Sequence, residues 1–226
     1  MNRDYYGMPL DRHEKGFTLV EIAIVLVIVG LLIGGVLKGQ ALIGSAKNNN
    51  MINKLQALQT AYYGFQDKYA AIPGDMSNAS TIIGAGAVNC STRCDNGQLN
   101  GWQNASLALN HLAAAGLYSG PAPDAEQNRA LTTLNAPDNA YGGAMFIRFW
   151  NQVASEVART NQNAVFTGRN VPAEVLAEID RKIDDGKPQS GTFRAAWPNA
   201  NGGRCYDNAN NEWNIGGTDC GGALLF

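Results

Sequence analysis

The chain has 226 residues, and its 17 Lys and Arg nearly balance its 19 Asp and Glu, giving a formal net charge of −2. This balance excludes a broad electrostatic attraction to nucleic acid or acidic lipid, although it does not exclude a local basic patch. Apart from one long apolar stretch near the N-terminus, the chain is too polar to enter lipid, and its size fits one further domain. The composition therefore predicts one membrane segment joined to one soluble domain.

The first element is an apolar run from Phe17 to Leu37, preceded by a short charged leader that ends in Gly16. About 20 apolar residues are what an α-helix needs to cross the hydrocarbon core of a bilayer. Glu21 is the only ionisable side chain within the run. The leader differs from an ordinary secretory signal, because the apolar part follows the expected cleavage point. Basic residues flank the run about equally, so they do not orient it.

Residues 15–37, with the sequence Gly-Phe-Thr-Leu-Val-Glu beginning at Gly16, resemble the N-terminus of type IV pilin and pseudopilin precursors. The resemblance implies that a prepilin peptidase cuts after Gly16 on the cytoplasmic side and methylates the new amino terminus, Phe17. It also implies insertion in the inner membrane with the N-terminus in the cytoplasm. Self-assembly into a filament by inner-membrane machinery would follow.

Glu21 lies close to the start of the predicted mature helix, where the helix dipole favours a negative charge. In a packed bundle its carboxylate can also pair with the free amine of Phe17 in a neighbouring subunit, which would neutralise both charges and fix the axial register. The alternative is that Glu21 only reaches the lipid headgroups. The resemblance departs at Lys38, where many relatives have a proline, so nearby glycines would have to loosen the helix instead.

Beyond Leu37 an apolar stripe continues the helical pattern to about Ala70, and Ile72-Pro73-Gly74 ends it. The stripe consists of Met51, Leu55, Leu58, Tyr62, Phe65 and Tyr69. A helix from Phe17 to Ala70 would be on the order of 80 Å long, against roughly 30 Å of hydrocarbon. The predicted organisation is a leader at residues 1–16, a transmembrane or filament-core helix at 17–38, an amphipathic outer half at 39–72 and a periplasmic or extracellular globular domain at 73–226.

The globular domain has the pattern of an α+β fold with many turns. Helices are predicted at residues 102–117 and 172–183, where apolar residues recur at helical spacing. The first closes at Gly116, and Asp184-Asp185-Gly186 ends the second. Strands are predicted at residues 145–150, 164–167 and 192–195. Together with the resemblance, these elements predict a pilin-like α+β fold, in which a long N-terminal helix packs on a small antiparallel sheet with extra short helices.

All four cysteines follow the membrane segment, which fits a compartment where disulfides persist. Three pairings are possible. The most local choice joins Cys90 to Cys94 and Cys205 to Cys220, and a C-terminal loop closed by a disulfide resembles the pilin family. A four-cysteine zinc site is the alternative, but the fourteen residues between Cys205 and Cys220 do not make a second zinc knuckle.

Enzymatic chemistry finds little support in the sequence. His13 lies in the leader, so His111 is the only imidazole of the expected mature chain. Its place in an apolar helix pattern predicts a half-buried packing residue. No Gly-rich phosphate loop, nucleophile elbow or paired-histidine metal motif is present. The chain is therefore predicted not to be an enzyme, and the only cofactor considered is a calcium ion.

The candidate calcium site consists of Asp180 and Asp184, which lie one helical turn apart, and of Asp185, which follows them. A like-charge pair at this spacing is mildly destabilising. Solvation or an Arg partner would relieve it. Calcium, which binds carboxylate and carbonyl oxygens, is a further candidate, because some pseudopilins bind calcium near the end of their soluble domain.

The function implied by the resemblance is that of a structural subunit of a type IV pilus-like filament. The first alternative is a pseudopilin, which builds the short periplasmic filament of a type II secretion system. The second is a minor pilin that acts as an adhesion or ligand-binding module through loops such as residues 197–213. The implied location is the inner membrane, as a single-pass protein, and then the pilus, the periplasm or the cell surface. Nucleic acid is not a predicted partner.

Overall fold

The computed structural model describes residues 16–123, 131–149, 162–196 and 205–226. The chain divides into two compact units, Met1–Gly44 and Ser45–Phe226, and each is described by itself. The predicted leader up to Lys15, the strand residue Trp150 and residues 197–204 of the predicted binding loop lie outside the described residues.

The first helix, α1 (Leu19–Tyr69), has 51 residues and contributes to both units. Its bounds lie within two residues of the predicted bounds, Phe17 and Ala70. Ala70 has a φ of 50°, which takes the backbone out of the right-handed helical region directly after Tyr69. Pro73 follows three residues later, where proline commonly follows a helix end.

In the first unit, the described residues include the N-terminal part of α1, and its apolar side chains face outward. Phe17 is 84% exposed, and Leu31 is 74% exposed. Among the described residues, α1 is the one helix long and apolar enough to cross a membrane, and none of its most apolar window is buried within the chain. This unit therefore presents a helix whose apolar surface is left for lipid or for other chains to cover.

In the second unit, α1 turns one face toward a core. The buried residues of that face include five of the six predicted stripe positions, Met51, Leu55, Leu58, Tyr62 and Phe65, and Tyr69 is partly buried against the same core. Leu55 and Phe65 have no exposed surface. The predicted stripe is confirmed, because a period of three and four places these side chains on one side of a helix.

Three shorter helices complete the helical part of the second unit: α2 (Ala79–Ile82), α3 (Trp102–Ala114) and α4 (Ala173–Ile183). The last two confirm the predicted helices. Helix α3 ends three residues earlier than predicted, and α4 starts one residue later. Gly116, with a φ of 73°, follows α3, and Pro172 precedes α4 in an extended conformation. The sequence analysis did not predict α2.

The sheet has four antiparallel strands: β1 (Phe146–Phe149), β2 (Asn163–Phe166), β3 (Phe193–Ala196) and β6 (Gly221–Leu225), in the order β1-β2-β6-β3. A separate hairpin pairs β4 (Tyr206–Asp207) with β5 (Glu212–Trp213). Ile147 and Val165 face each other across β1 and β2 and belong to the same core as the α1 stripe. Phe146 and Phe166 pack in a second cluster, on the other face of the sheet, because side chains alternate along a strand.

The strands β1, β2 and β3 confirm the three predicted strands, whereas β4, β5 and β6 were not predicted. The last of these is central to the sheet, between β2 and β3. Gly222 lies where a Cβ would be 2.3 Å from the ring of Phe193, so a side chain there would collide with the core. The observed architecture is α+β, with a long helix packed on a small antiparallel sheet and extra short helices, as predicted.

Candidate functional site

The start of α1 carries a reciprocal hydrogen-bonded cap formed by Thr18 and Glu21. The hydroxyl oxygen of Thr18 accepts a hydrogen bond from the backbone N–H of Glu21 at 3.2 Å. In return, Oε2 of Glu21 accepts from both the backbone N–H and the hydroxyl of Thr18, each at 2.8 Å. This is the capping-box arrangement, which satisfies donors that have no partner inside the helix.

The sequence analysis assigned Glu21 a role at this end of the helix but did not identify Thr18 as its partner. A Thr followed three residues later by Glu and then by an apolar run is a recognisable capping signal, so this contact could have been predicted from the sequence. Both hydrogen bonds to the carboxylate of Glu21 are accepted by Oε2. The cap is therefore compatible with a further interaction through Oε1.

Gly16 and Phe17, the two predicted processing residues, lie directly before this cap and are exposed. A Cβ built on Gly16 meets no atom within 4 Å, so the fold of the chain does not require a glycine there. The bond between Gly16 and Phe17 lies outside any helix or strand. An enzyme could therefore reach it without unfolding α1.

Two disulfides join Cys90 to Cys94 and Cys205 to Cys220, and no cysteine is left as a free thiol. This is the most local of the three possible pairings. The second disulfide ties the start of the β4–β5 hairpin to the residue that precedes β6. Cys220 also exchanges backbone hydrogen bonds with Val171, at 3.1 and 2.9 Å. The disulfide thus connects the hairpin to the segments around the central strand.

The structure brings Asp180, Asp184 and Asp185 together at the end of α4, with one oxygen of each within 4.8 Å of the others. Asp180 is completely buried. Its Oδ2 accepts a hydrogen bond from Nε1 of Trp213 at 2.7 Å, and its Oδ1 accepts from the N–H of Gly186 at 3.2 Å. The carboxyl group of this residue therefore anchors the β4–β5 hairpin to α4.

Asp184 uses its carboxylate to cap the edge of β3. Its Oδ2 accepts hydrogen bonds from the backbone N–H of Thr192, from the hydroxyl of Thr192 at 2.9 Å and from the N–H of Phe193 at 2.8 Å. Its Oδ1 accepts from the N–H of Asp185. An edge strand with unpaired donors can pair with other chains, so these bonds also protect the edge of the sheet.

The two carboxyl groups have opposite proton affinities. Burial raises the pKa of Asp180 to about 8, and the neighbouring carboxylates add to the increase. Burial also opposes the ionisation of Asp184, but hydrogen bonds from Phe193, Asp185 and Asp180 outweigh it and lower the pKa of Asp184 to about 2. The predicted like-charge pair is thus relieved by a proton on Asp180 and by backbone donors to Asp184.

The same three aspartates could hold a calcium ion, because hard cations bind clusters of carboxylate oxygens. Both oxygens of Asp185 are also engaged, since Oδ1 accepts from the N–H of Lys187 at 2.9 Å and Oδ2 from the hydroxyl of Ser190 at 2.6 Å. Each carboxylate oxygen has a second lone pair. An ion would therefore share these oxygens with donors of the chain and would displace the proton of Asp180.

His111 differs from its predicted environment. It is fully buried, not half-buried, and both ring nitrogens are hydrogen-bonded to backbone groups. The apolar residues around it in the sequence predicted packing correctly. They could not indicate the polar partners, which come from Gly74 and Val88 in a preceding segment.

Residues 11–37 match the family described as the prokaryotic N-terminal methylation motif. This is the prepilin-type motif of type IV pilins and pseudopilins, and the match includes Gly16, Phe17 and Glu21. No curated protein and no solved structure matches the chain. Proteins with this motif are structural rather than enzymatic, and the motif implies processing by prepilin peptidase and assembly into a filament.

Proposed function

We propose that this chain, which carries the N-terminal methylation motif of type IV pilins and pseudopilins, is a structural subunit of a type IV pilus-like filament. In this proposal a prepilin peptidase cuts between Gly16 and Phe17. Assembly machinery in the inner membrane then draws the mature chain out of the lipid, and α1 packs into the filament core.

The observation that supports this proposal best is the exposed apolar surface that directly follows the motif. The second unit buries its own core, whereas the described part of the first unit leaves its apolar side chains uncovered. Lipid can cover them before assembly, and the helices of other copies can cover them afterwards. A filament subunit needs this surface, because it must exchange one apolar environment for another.

The capping box at Thr18 and Glu21 supports the proposed role of Glu21 in assembly. Because Oε2 is hydrogen-bonded in the first turn of its own helix, the exposed carboxylate is held close to the helix start. The amine of Phe17 in a neighbouring copy is the proposed partner. That pairing would place a positive charge beside a carboxylate that already has one stable position.

Replacing Glu21 tests this proposal. In Glu21→Val we expect the amount of sheared filament to fall at least tenfold, because the carboxylate that pairs with Phe17 is lost, while the unassembled chain stays in the membrane. Leu26→Val, which changes neither the cap nor a charge, is the matched control and should assemble normally. Mass spectrometry of wild-type filaments should find a chain that begins at methylated Phe17. Normal filaments from Glu21→Val would contradict the proposal.

A pseudopilin of a type II secretion system would use the same motif and the same apolar helix. The machinery with which the native chain copurifies distinguishes the two, since a pilus and a secretion system have different assembly platforms. The adhesion or ligand-binding role of residues 197–213 stays a prediction. Binding assays with purified filaments would test it.

We also propose that the acidic cluster of Asp180, Asp184 and Asp185 is a weak calcium site. The observation in its favour is the close approach of three carboxylates, one of them fully buried. The affinity should be low, because all three already accept hydrogen bonds from the chain. Millimolar calcium should raise Tm by about 2–4 °C, which corresponds to about 1 kcal/mol for a protein of this size, and Asp185→Asn should abolish the increase.

A further inference from the structure

His111 fastens helix α3 to the segment that follows α1. The backbone N–H of Gly74 donates a hydrogen bond to Nδ1 of His111 at 2.8 Å. On the other side of the ring, Nε2 lies 2.7 Å from the carbonyl oxygen of Val88. The side chain has no exposed surface. One imidazole therefore bridges two points of the chain that are fourteen positions apart.

These partners determine the protonation state of the ring. Nδ1 faces a donor, so it must carry a lone pair, and Nε2 faces a carbonyl, so it must carry the proton. The bonds thus require the neutral Nε2–H tautomer. A second proton on Nδ1 would set an N–H against the N–H of Gly74 at a ring that is fully buried. Protonation and this pair of hydrogen bonds are mutually exclusive.

Two asparagines of α3 hold the same segment without depending on pH. Nδ2 of Asn104 donates to the carbonyl oxygen of Gly74 at 3.1 Å. Oδ1 of Asn110 accepts from the N–H of Val88 at 2.9 Å, and its Nδ2 donates to the carbonyl oxygen of Gly86 at 3.1 Å. Among these three side chains of α3, His111 alone can change its charge near neutral pH.

Among the described residues, the groups packed around the imidazole come from α1 and from the bound segment. From α1, the ring of Phe65 stacks over it with centroids 6.2 Å apart. Lys68 directs its Nζ to the carbonyl oxygen of Ala115 and over the ring of Tyr69. In the bound segment, Asp75 turns its Oδ2 to the backbone N–H groups of residues 96 and 97. Burial lowers the pKa of His111, and the Val88 carbonyl only partly opposes this.

We propose that His111 is an acid-sensitive latch, which holds residues 74–88 on α3 while the imidazole is neutral and releases them when it is protonated. The sign follows from linkage. A histidine whose pKa in the folded state lies below its ordinary value of 6.5 contributes stability that is present above pH 6.5. This stability is lost as the pH falls through the folded-state pKa. In an acidic environment the segment should open before the sheet does.

Hydrogen exchange of the full chain in detergent micelles tests the latch. Protection is compared at pH 7.5 and pH 5.0, after correction for the intrinsic exchange rate. In the wild type we expect protection of peptides from residues 74–88 to fall severalfold relative to peptides from β2 and β6, because protonation of Nδ1 removes the hydrogen bond from Gly74. In His111→Gln, whose amide offers a neutral acceptor and donor, the ratio should not change with pH.

His13→Gln is the matched control, because it removes the other histidine of the chain, and it should behave as the wild type. An equal loss of protection in His111→Gln and in the wild type would overturn the proposal, as would a wild-type segment that does not respond to pH. If His111→Gln does not fold, nitrogen NMR of the wild-type imidazole replaces it. The Nε2–H tautomer with a pKa below 6.5 supports the latch, and either the Nδ1–H tautomer or a pKa of 6.5 or higher overturns it.

Discussion

Helix α1 has apolar residues in both units of the molecule, but the two units treat them in opposite ways. In the second unit Met51, Leu55 and Leu58 are at most 1% exposed, because the sheet and α3 belong to the same core. In the first unit Leu26 is 65% exposed although it lies on the same helix. The comparison teaches that apolar composition predicts the need for burial but does not identify the partner that provides it. In the second unit this partner is the chain itself, and the exposed apolar surface of the first unit is compatible with burial by lipid or by another chain.

The largest effect is expected from a charge placed on the exposed apolar surface of the first unit. Leu26→Lys places an ammonium near the middle of the apolar run, which costs about 2.5–3.5 kcal/mol for insertion in a bilayer. We expect most of the chain to become extractable from membranes and filament assembly to be lost, while Tm of the second unit stays unchanged. Gln56→Lys, on an exposed position of α1 in the second unit, is the control and should change neither property. A large drop in Tm in Leu26→Lys would mean that the chain itself covers this surface.

Gly74→Ala should have the largest effect on the second unit alone. Gly74 has a φ of +88°, and a Cβ there would lie 2.4 Å from the carbonyl oxygen of Asn104 and 2.7 Å from the backbone nitrogen of Ala108. Because backbone atoms of α3 cannot give way easily, we expect a loss of about 3 kcal/mol or more in the free energy of unfolding, measured by denaturant titration. Membrane integration should not change.

Gly84→Ala separates the two causes of that loss. Gly84 also has a positive φ, +113°, but no atom lies within 4 Å of an added Cβ. This variant should therefore show only the cost of the backbone conformation, about 1–2 kcal/mol. Equal losses in the two variants would show that the close approach of Gly74 to α3 contributes nothing.

A smaller effect is expected at Asp180, where the second unit buries an acid instead of an apolar group. Its pKa is raised from the ordinary value of 3.8 to about 8, so it contributes stability at low pH that is lost as the pH rises toward 8. Asp180→Asn keeps an acceptor for Trp213 and cannot ionise. We expect the change in the free energy of unfolding between pH 5 and pH 9 to differ by at least about 1 kcal/mol between the wild type and this variant. Identical pH profiles for the wild type and Asp180→Asn would show that Asp180 does not bind this proton.

The sequence predicted α1, α3, α4 and three strands of the sheet because their signals are local. The apolar stripe of α1, the glycine after α3 and the proline before α4 can each be recognised within a few residues. The central strand β6 could not be recognised in the same way. Its sequence, Gly-Gly-Ala-Leu-Leu, begins with two residues of low strand propensity and does not alternate. It is a strand because β2 and β3 pair with it on both sides.

In the candidate sites, too, local features could be predicted from the sequence and long-range contacts could not. Glu21 was predicted from its place near the start of the helix and from the family resemblance, and the acidic cluster from the one-turn spacing of Asp180 and Asp184. The Thr18 contact of Glu21 could also have been predicted from a short motif. The partners of Asp180 and Asp184 could not. Trp213 lies 33 positions from Asp180, and Phe193 lies nine positions from Asp184. Contacts over such separations depend on how α4, the hairpin and the edge strand pack.

By itself, the sequence determined the prepilin-type motif, the apolar run that follows it and the helical period of α1, because each depends on neighbouring residues and on the 3.6-residue turn of a helix. Only the tertiary structure decided that β6 forms the centre of the sheet, that the carboxylate of Asp184 caps the edge of β3 and that His111 is a neutral bridge between two backbone groups. The physical reason is that these features arise where distant segments exclude water together. There, each buried polar group must find its partner in space rather than along the chain.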